Sequence, residues 1–141
     1  MSLSASIAPH LPYLRRFSRA VSGSQGSGDA LVAAMLEAII ADSSIFPQNA
    51  SNDRIALYQV FTRLFTALNI KVPDRGPETA WERSAQANLA ALAPRPRQAF
   101  LLVAVEGFSE GEAAEILQVS DQEFADLIQE ASVEISRQVA T

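Results

Sequence analysis

Glu106-Gly107-Phe108-Ser109-Glu110-Gly111-Glu112-Ala113-Ala114-Glu115-Ile116-Leu117-Gln118-Val119-Ser120-Asp121-Gln122-Glu123-Phe124-Ala125-Asp126-Leu127-Ile128 is the stretch on which the fold turns. Gly107 breaks one apolar run, and Ser109 with Glu112 starts another as a capping box. In such a box the serine hydroxyl accepts from an orphan helical N–H, and the glutamate reaches back to the serine's own N–H. Ala113, Ala114, Ile116 and Leu117 supply that helix's apolar side, and Ser120 with Glu123 repeats the box three residues after it ends. Phe124, Leu127, Ile128, Ala131 and Ile135 then recur on one face of a last helix. Two helices, each with its own cap and joined by Gln118-Val119-Ser120, make a helix-turn-helix.

The second helix of that motif normally enters the major groove and offers cations and amides to phosphates and bases. Here it offers Asp121, Glu123, Asp126, Glu130 and Glu134, with Arg137 only near its end. Phosphate contact carries most non-specific affinity for nucleic acid and requires positive charge. The sign extends beyond this helix. Residues 1–97 hold ten Lys/Arg against seven Asp/Glu, whereas residues 98–141 hold one Arg against nine Asp/Glu. No positive side chain occurs from Gln98 to Ser136. A merely solvated face usually mixes signs. A single-sign face on an apolar scaffold suits a basic, amphipathic partner.

Upstream, the periodicity is also helical. Leu11, Leu14, Phe17 and Val21 mark a helix from about Pro9 to Val21, with Arg15, Arg16 and Arg19 on another face. That basic cluster is expected to be solvated or to serve intramolecular contacts. Gly23-Ser24-Gln25-Gly26-Ser27-Gly28 reads as a flexible turn, because no strand precedes it and no Lys-Ser/Thr follows to make a phosphate loop. Leu31, Val32, Met35, Leu36, Ile39 and Ile40 give a second helix from near Asp29. Leu57, Phe61, Leu64, Phe65 and Leu68 give a third, capped by Asn52 or Asp53. Val72-Pro73-Asp74-Arg75-Gly76-Pro77-Glu78 has two prolines and no large apolar repeat. Beyond it, Trp81 to Leu92 and Gln98 to Val105 look helical, with Trp81 as a packing anchor.

The expected fold is therefore all-α, in two small modules: a three-helix bundle over 1–70, a linker over 71–79, and a helix-turn-helix module over 80–141. With 48% apolar and 19% charged residues, the chain can bury a core and is not expected to be disordered. It has no cysteine and one histidine, His10, so no metal site is expected. No pair of titratable groups stands in a catalytic motif, and His10 has no evident carboxylate or serine partner, so no enzyme activity and no cofactor are expected. No run reaches membrane-span length and no signal peptide is evident, which leads to an expectation of a cytoplasmic protein.

The stretch Leu92-Ala93-Pro94-Arg95-Pro96-Arg97-Gln98-Ala99-Phe100-Leu101-Leu102, with Glu106-Gly107-Phe108-Ser109 and Glu112-Ala113-Ala114-Glu115-Ile116-Leu117, resembles the promoter-reading region four of extracytoplasmic-function sigma factors. The first module is similar to their region two. Gly28-Asp29-Ala30-Leu31-Val32-Ala33-Ala34-Met35-Leu36 sits where those factors carry a polar, polymerase-engaging segment, and Ala30, Ala33 and Ala34 stand at its Asp, Gln and Glu. Leu11-Pro12-Tyr13-Leu14-Arg15-Arg16-Phe17 and Ile45-Phe46-Pro47 extend the likeness. The whole chain resembles the sigma-like domain of the PhyR family of general stress response regulators. That resemblance implies partner switching: a sigma mimic binds a NepR-type anti-sigma factor, as an anti-anti-sigma factor, and so releases the true sigma factor. Family members carry a receiver domain after this part; nothing in these 141 residues can be that domain, so no phosphosite is assigned.

The expected partner surface comprises the acidic positions Asp121, Glu123, Asp126 and Glu130, with an apolar groove drawn from Phe61, Leu64, Phe65, Phe108, Phe124, Leu127 and Ile128. The spacing does not separate groove from core. The partner would be an anti-sigma factor with basic amphipathic helices, without nucleic acid or membrane. Two rivals stand beside this reading: a working extracytoplasmic-function sigma factor binding polymerase and promoter DNA, and a plain helical dimerisation module.

Overall fold

The computed structural model describes residues 3–68 and 94–140. These are helical, with no strand among the described residues. The elements are α1 (Leu3–Ile7), α2 (Leu11–Ser22), α3 (Gln25–Ala41), α4 (Asp53–Leu68), α5 (Pro94–Ala104), α6 (Glu110–Leu117) and α7 (Asp121–Ala140). One 3-10 turn, Ala8–His10, leads into α2, and another, Ser43–Ile45, follows α3. The expected linker over 71–79, the helix from Trp81 to Leu92 and the anchoring of Trp81 lie outside the described residues.

The start of α3 differs from its expected place near Asp29. Ser24 caps it, its hydroxyl accepting from the Ser27 N–H at 3.1 Å, so Gly26 and Gly28 belong to its first turns instead of a flexible loop. The reason is a close helix crossing. A Cβ at Gly28 would stand 2.6 Å from both Cα and N of Arg19, so α2 and α3 approach each other only over a glycine. Ser18, buried on α2, donates to the Gly28 carbonyl at 2.7 Å and seals the crossing.

Helix α4 is the axis of the molecule. Asn52 caps it, its Oδ1 accepting from Ile55 N–H at 2.8 Å. Its periodicity predicts a single apolar stripe, yet every residue from 55 to 62 is buried. One side packs on α3 and the other on α6, so the second half covers the face that would otherwise meet water. The polar residues on that covered face are satisfied across the contact. Gln59 donates to the Glu115 carbonyl at 2.8 Å, and Thr62 reaches the Ile116 carbonyl at 3.5 Å besides donating to the Gln59 carbonyl of its own helix at 3.1 Å. Helix α5 packs on α2 and α7.

The two halves consequently share one core. Leu14, Phe17, Met35, Tyr58, Phe61 and Phe65 are continuous with Leu102, Phe108, Ile116 and Phe124. Phe17 meets Tyr58 at 5.4 Å and Phe61 edge-on at 5.7 Å, and Tyr58 meets Phe108 edge-on at 5.0 Å, the distances at which aromatic pairs attract.

Candidate partner interface

The helix-turn-helix forms as its sequence dictates. Ser109 N–H donates to Glu112 Oε1 at 2.9 Å while Glu112 N–H donates to Ser109 Oγ at 3.1 Å. Ser120 and Glu123 do the same at 3.2 and 3.0 Å. Gly107 enters the motif at φ 77°, a conformation that side chains with a Cβ disfavour.

Helix α7 has two faces. Phe124 and Ala131 are buried and Leu127, Ile128 and Ile135 half-buried, which holds the helix on α5 and α6. Asp121, Glu123, Asp126 and Glu130 are exposed on the other side. Asp121 and Glu123 lie in the first turn, where the helix dipole favours negative charge, so part of their presence has a local explanation. Asp126 and Glu130 are beyond that turn and have no such explanation. Gln122 donates to Asp126 Oδ1 at 3.1 Å, and Arg137 meets Glu134 at 3.4 Å near the far end. Between the starts of α6 and α7 a notch of about 290 Å³ opens, lined by Glu110, Gly111, Asp121, Phe124 and Ala125.

The apolar positions are placed differently. Phe61, Phe65, Phe108 and Phe124 are 0%, 2%, 3% and 1% exposed, so these four rings are packed into the core instead of lining an open groove. Covering α4 with the second half closes the space that a groove would have occupied. Leu64, Leu127 and Ile128 remain half-buried at the margin of that core. On α3, Ala30 and Ala33 are exposed and Ala34 half-buried, and Ile40 is exposed to 84%.

Glu106 is not singled out by sequence, although a glutamate between apolar Leu101–Val105 and Phe108 is the available cue. Its residue is 5% exposed. Tyr58 donates to its Oε1 at 2.6 Å and Arg16 Nε to its Oε2 at 3.1 Å. Arg54 donates to its carbonyl at 2.9 Å and stands 4.0 Å above the Phe108 ring. Burial, reinforced by the bond to Glu106, pushes the Tyr58 phenol far above its ordinary value, so it remains a donor. The basic cluster on α2 is thus partly intramolecular: Arg16 pairs with Glu106, and Arg19 binds both oxygens of Asp29 at 2.9 and 3.0 Å. That bond raises the Arg19 guanidinium and lowers the Asp29 carboxyl from their usual values.

The Tyr58 shift has a checkable consequence. Above about pH 10 the unfolded chain releases the phenolic proton while the folded chain keeps it, so stability falls with rising pH. The expected slope from this group rises toward about 1.4 kcal/mol per pH unit once the unfolded phenol is ionised, read from urea unfolding between about pH 10 and 12. Tyr58→Phe should remove that component; an identical alkaline slope in the variant would refute it.

Among the described residues no cluster of three metal-ligating side chains occurs, and no helix is long and apolar enough to cross a membrane.

Comparison with known proteins matches this geometry. Residues 7–62 match the family model described as the Sigma2 domain of PhyR, and residues 89–138 that described as the sigma-like domain of the response regulator PhyR. The chain is 39% identical to the phyllosphere-induced regulator PhyR of Methylorubrum extorquens over all 141 residues, which is 52% of that protein, so it spans about half the length of this curated relative. It is 53% identical to the anti-anti-sigma factor PhyR of Bartonella quintana, solved in complex with the anti-sigma factor NepR, with a TM-score of 0.85 over 98% of this chain and 51% of that one. It is 41% identical to the protein in the PhyRSL–NepR complex of Sphingomonas sp. Fr1, with a TM-score of 0.77 over 97% of this chain and 88% of that one. With both halves matched, an all-helical fold in common and the capped helix-turn-helix in place, the chain belongs to the family of PhyR sigma-like domains.

Proposed function

We propose that this chain is a sigma-factor mimic that acts as an anti-anti-sigma factor, binding a NepR-type anti-sigma factor by partner switching in the cytoplasm. The observation that carries the reading is the outward face of α7: Asp121, Glu123, Asp126 and Glu130 are all exposed where a promoter-reading helix would need cations. Relatives solved in complex with NepR support it. In this reading residues 1–70 are the region-two-like module and 80–141 the region-four-like module, separated by 71–79. The protein binds and does not catalyse. The partner contributes a basic, amphipathic helix that lies along α7, with Leu64, Leu127 and Ile128 at the apolar margin. The buried rings Phe61, Phe65, Phe108 and Phe124 shape that surface from beneath.

Asp126→Lys combined with Glu130→Lys tests the electrostatic role, because both side chains are exposed and neither supports the helix start. Affinity for a NepR-type protein should fall about tenfold or more, with a shallower dependence on salt and unchanged helicity. Calorimetric titration at two ionic strengths measures both quantities. Undiminished affinity in the double reversal would remove α7 from the interface. Fluorescence anisotropy with promoter duplexes at low salt separates the sigma-factor alternative; tight, salt-dependent binding would favour it.

A further inference from the structure

The seam between the two halves is organised around Glu106. Its carboxylate is fully buried at the end of α5, yet its side-chain hydrogen bonds run to the other half, to Tyr58 on α4 and Arg16 on α2. Two backbone carbonyls beside it are held the same way. Arg54 donates to that of Glu106 at 2.9 Å, and Arg16 Nη2 to that of Val105 at 3.4 Å. Of the other cross-links, Ser51 to Glu115 at 2.6 Å and Arg63 to Gln118 at 2.9 Å are exposed, while Gln59 to the Glu115 carbonyl and Arg97 to the Val21 carbonyl are part-buried and end on backbone carbonyls instead of a charged side chain.

The surroundings of Glu106 are apolar and aromatic, with Tyr58, Leu101, Leu102 and Phe108 all buried. Apolar contact alone is non-directional and tolerates more than one packing angle. A buried carboxylate with two donors tolerates few, because rotating either half leaves a polar group unpaired at low dielectric. Replacing buried charged groups by apolar side chains is often neutral or stabilising, so a buried carboxylate at the seam is better explained by orientation than by strength. Helix α7 packs on α5, so whatever fixes α5 on α2 also fixes the acidic face. We propose that Glu106 is a positioning residue that sets the angle at which the second half, and with it α7, sits on the first. This goes beyond the functional reading and is testable without any partner.

The chain has no cysteine, so introduced cysteines can be labelled uniquely. Gln25→Cys on α3 and Ser132→Cys on α7 are exposed positions, one in each half, for paired spin labels. A control pair within the first half is Gln25→Cys with Ala67→Cys on α4, also exposed. The test variant is Glu106→Leu with Tyr58→Phe, which removes the carboxylate together with its buried hydroxyl donor. The Arg16 side chain is 51% exposed and can turn to water. The variant is expected to unfold cooperatively with unchanged helicity, and the cross-half distance distribution to broaden about twofold or split, while the control pair stays narrow. A cross-half distribution as narrow as that of the parent would overturn the proposal, and so would equal broadening of the control pair. Should the double variant fail to fold, Glu106→Gln decides: it keeps the Tyr58 bond and drops the ion pair. Broadening across the halves then supports the positioning role, and an unchanged distribution overturns it.

Discussion

Phe61→Ala is expected to destabilise the fold by about 3–5 kcal/mol, the range for truncating a fully buried aromatic. Phe61 is 0% exposed, meets Phe17 edge-on at 5.7 Å and stacks on Phe65 at 6.1 Å. Removing the ring forfeits its transfer free energy and leaves a cavity between α2 and α4 that the shared core cannot close without moving both helices. For a chain of this length the midpoint of thermal unfolding should fall by about 10–20 °C. Differential scanning calorimetry and guanidinium unfolding measure it. The same experiment distinguishes core from groove. A groove-lining ring would leave stability nearly unchanged and weaken partner binding, so a melting temperature within error of the parent would show that this ring is not structural.

Glu106→Ala is the second large effect, at about 2–3 kcal/mol, because it strands a buried donor. The Tyr58 hydroxyl loses its acceptor inside the core, where leaving a polar group unpaired costs about 1–3 kcal/mol, and the smaller side chain leaves a void beside Phe108. The Arg16 contribution is small, because its side chain is half-exposed and water replaces the lost carboxylate. Tyr58→Phe in the same background should recover part of the loss, since the stranded hydroxyl is then gone. Urea unfolding of the two single variants and the double gives the coupling. Strictly additive losses would mean that the 2.6 Å bond contributes nothing to stability.

The parts of this protein that can be read in advance are those whose causes are local. Ser109 with Glu112 and Ser120 with Glu123 lie three residues apart, so both capping boxes, and with them the helix-turn-helix, follow from the order of residues. The negative sign of α7 is equally legible, since charge needs no neighbour to be counted. Boundaries set by contact are less so. Gly28 reads as part of a loop because its role is to admit the backbone of Arg19, nine positions earlier, which no local pattern reveals.

What required the assembled fold is whatever depends on two distant stretches meeting. Arg16 and Glu106 are 90 positions apart, and their pairing exists only because α5 lands on α2. Periodicity shows that Phe61, Phe65 and Phe124 lie on apolar faces; packing decides that those faces close on one another, and on Phe108 in the turn between α5 and α6, in a single core. A helix's own sequence states which side avoids water, since that follows from side-chain spacing along one axis. It does not state what covers that side, because burial is a property of two surfaces and the second is encoded elsewhere in the chain. The outward acidic face belongs to the first kind of information, and the angle at which it is presented to the second.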